Sequence, residues 1–386
     1  MSKTYAVLGA GMQGTALAYD LAKYADPRRI ILGDMSIDQA KKASWRVNDL
    51  VGKAICEPAQ VNALDHRNLA NFLQPVDVLG SCVPYWIHPK VAKVAISHGT
   101  SMVDLGGNTE ITLQTLRMDE EAKAAGLTFV PDCGLAPGLV NSLGSYIIEH
   151  LDTTDSVKLY CGVLPQHPVP PFNYKLTFNI EGLVTEYDYK AVVLRDGEIQ
   201  LVDTLDELET LYIDELGEME AFTTSGGTST APYTFQGKVR NYEYKTIRFP
   251  GHCQLMKIFK DFGFWSESEI EIHGQKVKPR EVFYKVFGES LAKIEDQDMC
   301  IVRAVGTGTR NGQPKTIQID IFDKEDPHTG FTSMERLTGF SAAIYAEAIA
   351  AGEIGPGCLR YETAMSGTRF VEEIQKRGIK LAIRES

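Results

Sequence analysis

The run Ala6-Val7-Leu8-Gly9-Ala10-Gly11-Met12-Gln13-Gly14 constrains this chain more than any other stretch. Tyr5 to Leu8 reads as a short buried strand, and Thr15 to Tyr24 as a helix with Ala and Leu on one face. Between them lies G-x-G-x-x-G. The first glycine lets the chain turn sharply out of the strand. The second leaves bare backbone for a pyrophosphate, and the third lets helix and strand pack closely. Free N–H groups at the helix start then face the phosphates. A second apolar run, Ile30-Ile31-Leu32, ends at Asp34, roughly 20 residues beyond Gly14, where an acid is expected to hold a ribose 2′-OH. The alternative is a glycine-rich turn in an ordinary α/β domain. Strand, helix and placed acid together favour a dinucleotide site, with Gly9, Gly11, Met12, Gln13, Gly14 and Asp34 as its contacts. The expected cofactor is NAD. Asp34 accepts hydrogen bonds from a free ribose diol and repels a 2′-phosphate, and Met35-Ser36 supplies no Arg to bind one.

At 386 residues the chain has room for two domains or one large one. Hydrophobic residues make up 44%, enough for real cores. A net charge of -12 with interleaved signs argues against nucleic acid or an anionic membrane as the main partner. No apolar run reaches the roughly 18 residues of a transmembrane helix. The first strand begins at once, with no room for a signal peptide. Cys56, Cys82, Cys133, Cys161, Cys253, Cys300 and Cys358 are scattered, with no C-x-x-C and no Cys/His cluster. That pattern reads as reduced thiols in a cytoplasmic protein, with no structural metal. No internal repeat or low-complexity segment is visible.

Residues 1–131 alternate strand and helix. Beyond Asp34, helices are expected at Ile37–Leu50, Asp65–Phe72, His88–His98 and Thr109–Ala125. Strands are expected within Ile55–Leu64 and at Asp77–Val83, Ser101–Leu105 and Leu127–Val130. This is the rhythm of an α/β, Rossmann-type doubly wound parallel sheet with right-handed crossovers, whose ligand sits at the carboxyl ends of the strands. Those ends carry Gly9–Gly14, Asp34, Cys82–Tyr85, Asp104–Asn108 and Asp132–Gly138.

Near Asp132 the rhythm changes. A loop to Gly138 and a helix over Leu139–His150 lead to a second, mostly antiparallel α+β domain for substrate binding and oligomerisation. Its expected strands are Val157–Val163, Lys175–Phe178, Thr185–Leu194, Glu198–Val202, Met219–Phe222, Cys300–Gly306 and Thr316–Phe322. Arg195–Glu198 is a hairpin turn of the D-G type. Helices are expected at His252–Phe262 and Arg280–Ala292, and acidic Asp203–Glu220 reads as solvated surface. Glu335–Ala351 reads as a long helix with Ala342, Ala343, Ala346 and Ala350 on its small-residue side. Residues 368–378 give one more helix, and the pair is expected to return to the first domain. The expected limits are 1–135, 136–335 and 336–386.

Five segments follow one another in a recognisable order. Ser81-Cys82-Val83-Pro84-Tyr85-Trp86-Ile87-His88 comes first, then Asp132-Cys133-Gly134-Leu135-Ala136-Pro137-Gly138. Cys161-Gly162-Val163-Leu164-Pro165, Tyr174-Lys175-Leu176-Thr177-Phe178 and Thr246-Ile247-Arg248-Phe249-Pro250-Gly251 complete the series. They resemble the S-x-x-P-Y-x-x-H, G-L-x-P-G, C-G-G-L-P, Y-K-x-x-W and T-L-R-Y-x-G segments of the saccharopine dehydrogenase family in its broad sense, especially the lysine 6-dehydrogenase branch. One departure selects the branch. Saccharopine-reducing members carry P-N-R-D-S between the Y-K and T-L-R segments, and its Arg helps bind the dicarboxylate arm. Here that place reads Ala221-Phe222-Thr223-Thr224-Ser225-Gly226-Gly227, with no Arg. A site for an extra carboxylate needs a guanidinium, so its absence implies a smaller substrate with one α-carboxylate.

Position at the strand ends gives candidate roles for several residues, and the resemblance gives those of Arg248 and of the Tyr174-Lys175 pair. Cys82, Val83 and Pro84 follow the fourth strand, near the nicotinamide. Tyr85 contacts substrate or only shapes the turn. His88 serves as a base, which needs reach and a pKa near working pH, or makes a local hydrogen bond. Asp104 anchors a substrate ammonium or caps the Gly106-Gly107 turn. Arg248 binds the substrate carboxylate or joins a surface ion pair. Beside Tyr174, Lys175 neutralises a carboxylate or faces solvent. Asn141 touches the cofactor carboxamide or caps a helix.

The activity this implies is NAD-dependent oxidative deamination of the side-chain amine of L-lysine, giving ammonia and a 6-semialdehyde that cyclises to a piperideine carboxylate. The alternatives are imine reduction, as in saccharopine or carboxynorspermidine formation, and a non-catalytic NAD-binding sensor or interaction module. A homo-oligomer, dimer or larger, is expected, because the antiparallel domain must cover its outer face and edges.

Overall fold

The computed structural model describes residues 2–74 and 76–386. The chain divides into two compact units. One comprises Met1–His150, Ser229–Thr234 and Asp326–Ile379. The other comprises Leu151–Thr228, Phe235–Glu325 and Lys380–Ser386.

The first unit is built on a seven-stranded parallel sheet. Its strands are β1 (Thr4–Leu8), β2 (Arg29–Asp34), β3 (Cys56–Gln60), β4 (Val78–Ser81), β5 (Ser101–Asp104) and β6 (Thr128–Val130), with Gly357–Cys358 at one edge. The spatial order is β3-β2-β1-β4-β5-β6 and then Gly357–Cys358. The order therefore reverses between β1 and β4, the place where such sheets bind their ligands. β1, β4 and β5 are buried along their whole length, as apolar runs covered on both faces should be. The crossovers are α1 (Met12–Tyr24), α2 (Ile37–Val51), α3 (His66–Leu73), α4 (His88–Ser97), α5 (Thr109–Leu116) and α6 (Asp119–Ala124), and α7 (Val140–Glu149) follows β6. α1 starts three residues before the expected Thr15, because Gly11 itself is its N-cap. The single helix expected over Thr109–Ala125 is two; Asp119, Glu120 and Glu121 crowd a new first turn, where acids favour a helix start.

Helix Ser333–Ala351 is buried along most of its length. Glu335, expected at its start, is instead the third residue of a capping box with Thr332. A Cβ on Gly339 would lie 2.8 Å from that of Ala16, so the glycine lets this helix touch α1 directly. Arg377, just past helix Gly367–Lys376, donates to Asp20 (2.9 and 3.0 Å), to the Glu373 carboxylate (2.8 Å) and to Glu347 (2.7 Å).

The second unit is a nine-stranded mixed sheet with helices and an aromatic core. Its strands are β7 (Thr153–Pro165), β8 (Ala191–Arg195), β9 (Glu198–Val202), β10 (Glu209–Ile213), β11 (Gly217–Thr223) and β12 (Val239–Arg248). After a separate hairpin of β13 (Ile270–Ile272) and β14 (Gln275–Val277) come β15 (Asp298–Arg310) and β16 (Gln313–Lys324). The order is β10-β11-β12-β7-β15-β16 and then Leu381–Glu385, with β8 and β9 attached to β12. Every pairing is antiparallel except β12 with β7.

Several expected elements differ. Lys175–Phe178 is loop, and Thr185–Asp188 belongs to helix α8 (Ile180–Asp188). The buried set Leu183, Val184 and Tyr187 is helical in spacing, and Asn179 caps the start. Asp203–Glu220 is not all solvated surface: Glu220 is buried in β11 and accepts from the N–H of Gly251 (2.8 Å) and Cys253 (2.5 Å). The first continuous stretch of the first unit runs to His150, so α7 belongs to it. Leu381–Glu385 pairs with β16, and Lys380–Ser386 belongs to the second unit, whereas the helices before it belong to the first. Among the described residues no helix is long and apolar enough to cross a membrane.

Candidate functional site

The first unit gathers its polar groups at the carboxyl ends of its strands. β1 ends at Leu8 and the chain turns at Gly9, whose φ of +102° suits glycine alone. A Cβ on Gly9 would lie 2.6 Å from the Cys82 carbonyl oxygen, and one on Gly14 would lie 1.9 Å from that of Gly9. At Gly11 nothing lies within 4 Å of a Cβ position, so the backbone there is open. No side chain caps the start of α1, which leaves its first N–H groups as donors. Beside them the Gln13 side-chain amide is out of solvent and makes no hydrogen bond, while Met12 is half exposed. Asp34 closes the loop by accepting from the N–H of Ala10 and of Ser36, both at 2.9 Å. Its carboxylate keeps lone pairs for a ribose hydroxyl. An open glycine, an uncapped helix and an unpaired buried amide fit the phosphates of a dinucleotide.

The next three strand ends converge. Val83 packs against the core, and Pro84 starts a short turn over Tyr85–Ile87. Gly107, at φ +130°, lies under the Tyr85 side chain, where a Cβ would come within 3.0 Å. Asp104, at the end of β5, accepts from the N–H of Gly106 (2.9 Å) and of Asp132 (3.0 Å), so it does cap the turn. His88 is buried, with Nδ1 3.0 Å from Ser81 Oγ. Its Nε2 makes no hydrogen bond of good geometry, although the Gly106 backbone favours its protonated form. Burial lowers its pKa, against the pull of Asp104. His88 therefore sits as a neutral local hydrogen-bonder with no solvent-facing edge, which does not suit the expected general base. Burial and the Asp104 charge push the Cys82 thiol up, away from reactivity.

Asp132 was not among the expected site residues. It is buried at φ +66° and accepts from Ser229 (2.6 Å) and Thr112 (2.9 Å), while burial and Asp104 push it up to about 7. A non-glycine residue at positive φ tied into side-chain bonds is a signature of a functional loop, but positive φ is not readable from sequence. Asn141, within α7, donates to the Pro137 carbonyl and so holds its own loop.

A second cluster lies inside the second unit. Arg248 ends β12 and is buried, not at the surface. Its Nε donates to the Tyr187 hydroxyl (3.0 Å) and its Nη1 to the Ile247 carbonyl (2.9 Å). Its guanidinium lies over the rings of Tyr174 (5.0 Å) and Tyr187 (6.0 Å). Tyr174 thus supports Arg248 with its ring, and burial raises its hydroxyl to about 12. His252 bonds the Tyr187 hydroxyl at 3.1 Å; burial and then Arg248 lower it to about 3, so it is neutral. Lys175 is drawn elsewhere, its Nζ donating to the Asp296 carbonyl. The group that sequence reading missed is Glu186, whose Oε2 lies 3.8 Å from Arg248 Nη2. It was assigned to a strand; helical spacing from Leu183 to Tyr187 was the available signal.

Residues 5–130 match the saccharopine dehydrogenase NADP binding domain, and residues 134–379 the saccharopine dehydrogenase C-terminal domain. The NADP(+)-dependent, L-glutamate-forming saccharopine dehydrogenase of Pyricularia oryzae is 24% identical over 277 residues, 69% of this chain and 60% of the relative. The chain therefore spans 60% of that relative's length. The apo L-Glu-forming saccharopine dehydrogenase of Saccharomyces cerevisiae superposes with a TM-score of 0.79 at 19% identity, covering 100% of both chains. The homospermidine synthase of Legionella pneumophila, solved in complex with NAD, gives 0.66 at 10% identity, covering 100% of this chain and 92% of that one. At these identities the two structures speak for the fold. With both domains matched in order, the chain belongs to the saccharopine dehydrogenase family.

Proposed function

We propose that the chain is a pyridine-nucleotide-dependent dehydrogenase acting on the side-chain amine of a free α-amino acid, with L-lysine the favoured substrate and NAD the favoured nucleotide. The observation that carries this reading is at Gly227. Saccharopine-reducing members place an Arg near here for an extra carboxylate. In this chain a Cβ on Gly227 would meet the Tyr244 ring at 2.1 Å, so Tyr244 fills the room a side chain would need. One carboxylate is then left to be read, and Arg248 is the buried guanidinium available for it.

Oxidation removes a hydride from carbon and a proton from nitrogen, leaving an imine; water adds, ammonia leaves and an aldehyde remains. When bound, the nucleotide supplies the hydride acceptor. Gly9, Gly11, Met12, Gln13 and Gly14 hold its phosphates and Asp34 its ribose, while Cys82, Val83 and Pro84 line the nicotinamide end. Tyr85 faces the substrate, Asp104 orders the turn beside it, and His88 steadies Ser81. In the second unit Arg248 grips the carboxylate. Asp34 and the absence of Arg at 35–36 support NAD. A second reading, NADP-dependent imine reduction, is favoured by the names of the matched domain and relative.

Mixing the protein with L-lysine and NAD should give steady NADH absorbance with ammonia release, slower with NADP. Oxidation of NADPH only by an amino acid together with an aldehyde would replace this reading with the second. No turnover across an amine panel would leave a nucleotide-binding module. We also take the chain to be at least a dimer, because Phe262 and Val286 are 79% and 63% exposed. A monomer by light scattering at micromolar concentration would overturn that.

A further inference from the structure

We propose that Arg248 and Glu186 together form a receptor for the α-amino-acid head group, Arg248 taking the carboxylate and Glu186 the α-ammonium. This rests on the reading that Arg248 holds the substrate's carboxylate, and it adds the second charge. Arg248 Nη2 makes no hydrogen bond among the described residues; its nearest acid is Glu186, Nη2 to Oε2 3.8 Å. That distance is ionic contact, too long for a hydrogen bond. The Glu186 carboxylate likewise accepts no hydrogen bond among the described residues, although its own backbone carbonyl accepts from Ser225 N–H. With Arg248 Nη2 free of hydrogen bonds among the described residues and the Glu186 carboxylate partly open to solvent, a ligand arriving from that side can engage both.

An α-amino acid matches that pair in charge and in spacing. Its carboxylate and ammonium are joined through one carbon, so their polar atoms lie about 3 Å apart by standard bond lengths. An acceptor is needed at Arg248 Nη2 and a donor at Glu186, and the zwitterion brings both. The depths differ: the Arg248 side chain is 4% exposed and that of Glu186 35%. The carboxylate therefore enters first, the ammonium stays nearer the opening, and the side chain points outward. The surroundings hold Arg248 in place. Tyr187 accepts from Nε, His252 bonds Tyr187, and Tyr174 lies against the guanidinium face. Two carboxylates on one ligand would set the second against Glu186, so the pair also selects against dicarboxylate heads.

The test is calorimetric titration of the full chain with L-norleucine and with hexanoate, which lacks the α-ammonium; neither has a distal amine to be oxidised. Wild type should bind norleucine at least about tenfold tighter, the fold-change of one charge-assisted hydrogen bond. Glu186→Gln should lose that margin while binding hexanoate as wild type does, and Glu186→Asp should keep part of it. Arg248→Lys should weaken both ligands. Unchanged melting of the Glu186 variants shows that folding is intact. A margin that survives Glu186→Gln, or is absent from wild type, overturns the inference. Because these ligands do not react, a failure to oxidise lysine with the margin intact counts against the proposed reaction alone.

Discussion

Two arginines are buried almost equally, Arg377 at 5% exposure in the first unit and Arg248 at 3% in the second, yet their surroundings are opposite. Arg377 meets three carboxylates, from Asp20, Glu373 and Glu347, and the Glu373 carbonyl at 3.2 Å. Arg248 has a phenol, one carbonyl and a carboxylate held off at 3.8 Å. Burying a charge is costly unless hydrogen bonds replace water. Arg377 is saturated by its own chain and acts as a structural tie among α1 and helices Ser333–Ala351 and Gly367–Lys376. Arg248 keeps Nη2 without a hydrogen bond among the described residues, which is where the proposed ligand would complete it. Degree of saturation, rather than depth, separates the two.

The comparison can be broken in four ways. The largest effect is expected for Arg377→Met, which strands the Asp20 carboxylate in the core and should cost about 3–5 kcal/mol in chemical denaturation. Substrate KM should not change, because nothing in the proposed site touches Arg377. Arg248→Met should differ in sign. With no saturated pair broken, stability should stay within about 1 kcal/mol of wild type or rise, as replacing a poorly compensated buried charge often does. Preference for L-lysine over cadaverine, which lacks the carboxylate, should fall by about 2–5 kcal/mol in kcat/KM terms. Equal destabilisation by both substitutions would erase the distinction.

A pH series sharpens it further. Partial removal from water raises the Glu186 carboxyl to about 7, with Arg248 opposing. Below that value the carboxyl is protonated and cannot hold an ammonium, so norleucine affinity should rise as pH increases through about 7. Glu186→Gln should flatten the profile. In the ligand-free protein the sign is reversed. A carboxyl whose pKa is raised by folding contributes stability at low pH that is lost as pH rises towards 7. His252, lowered to about 3, stays neutral throughout and does not mask the effect. The smallest effect is expected for Tyr187→Phe. It removes the acceptor of Arg248 Nε and should weaken norleucine binding by about 1 kcal/mol, read by the same titration.

The glycine loop was legible because its demands are local. Gly14 meets the Gly9 carbonyl of its own turn and Asp34 ends the next strand, so spacing along the chain carries that geometry, whereas the approach of Gly9 to the Cys82 carbonyl is set by β4 beside it. Strand–helix alternation over the first 130 residues was legible for the same reason. His88 was harder. The residue type and its place at the start of α4 suit a base, but its burial against Ser81 depends on how α4 lies on the sheet. The role of Asp132 is not legible along the chain, since its bond to Ser229 spans 97 positions.

Sequence alone determined the nucleotide-binding half of this protein. Glycine placement, apolar periodicity and one acid specify a strand-turn-helix whose contacts within the turn and to Asp34 lie within a few tens of residues. Only the tertiary structure decided the meeting of Arg248 with Glu186. They are separated by 62 positions, on a strand and a helix that sequence reading had misassigned or missed. Their distance depends on strand register and on the aromatic packing of Tyr174, Tyr187 and His252 around them. Backbone conformation follows from local sterics, whereas the spacing of two charges across a core follows from the packing of everything between them.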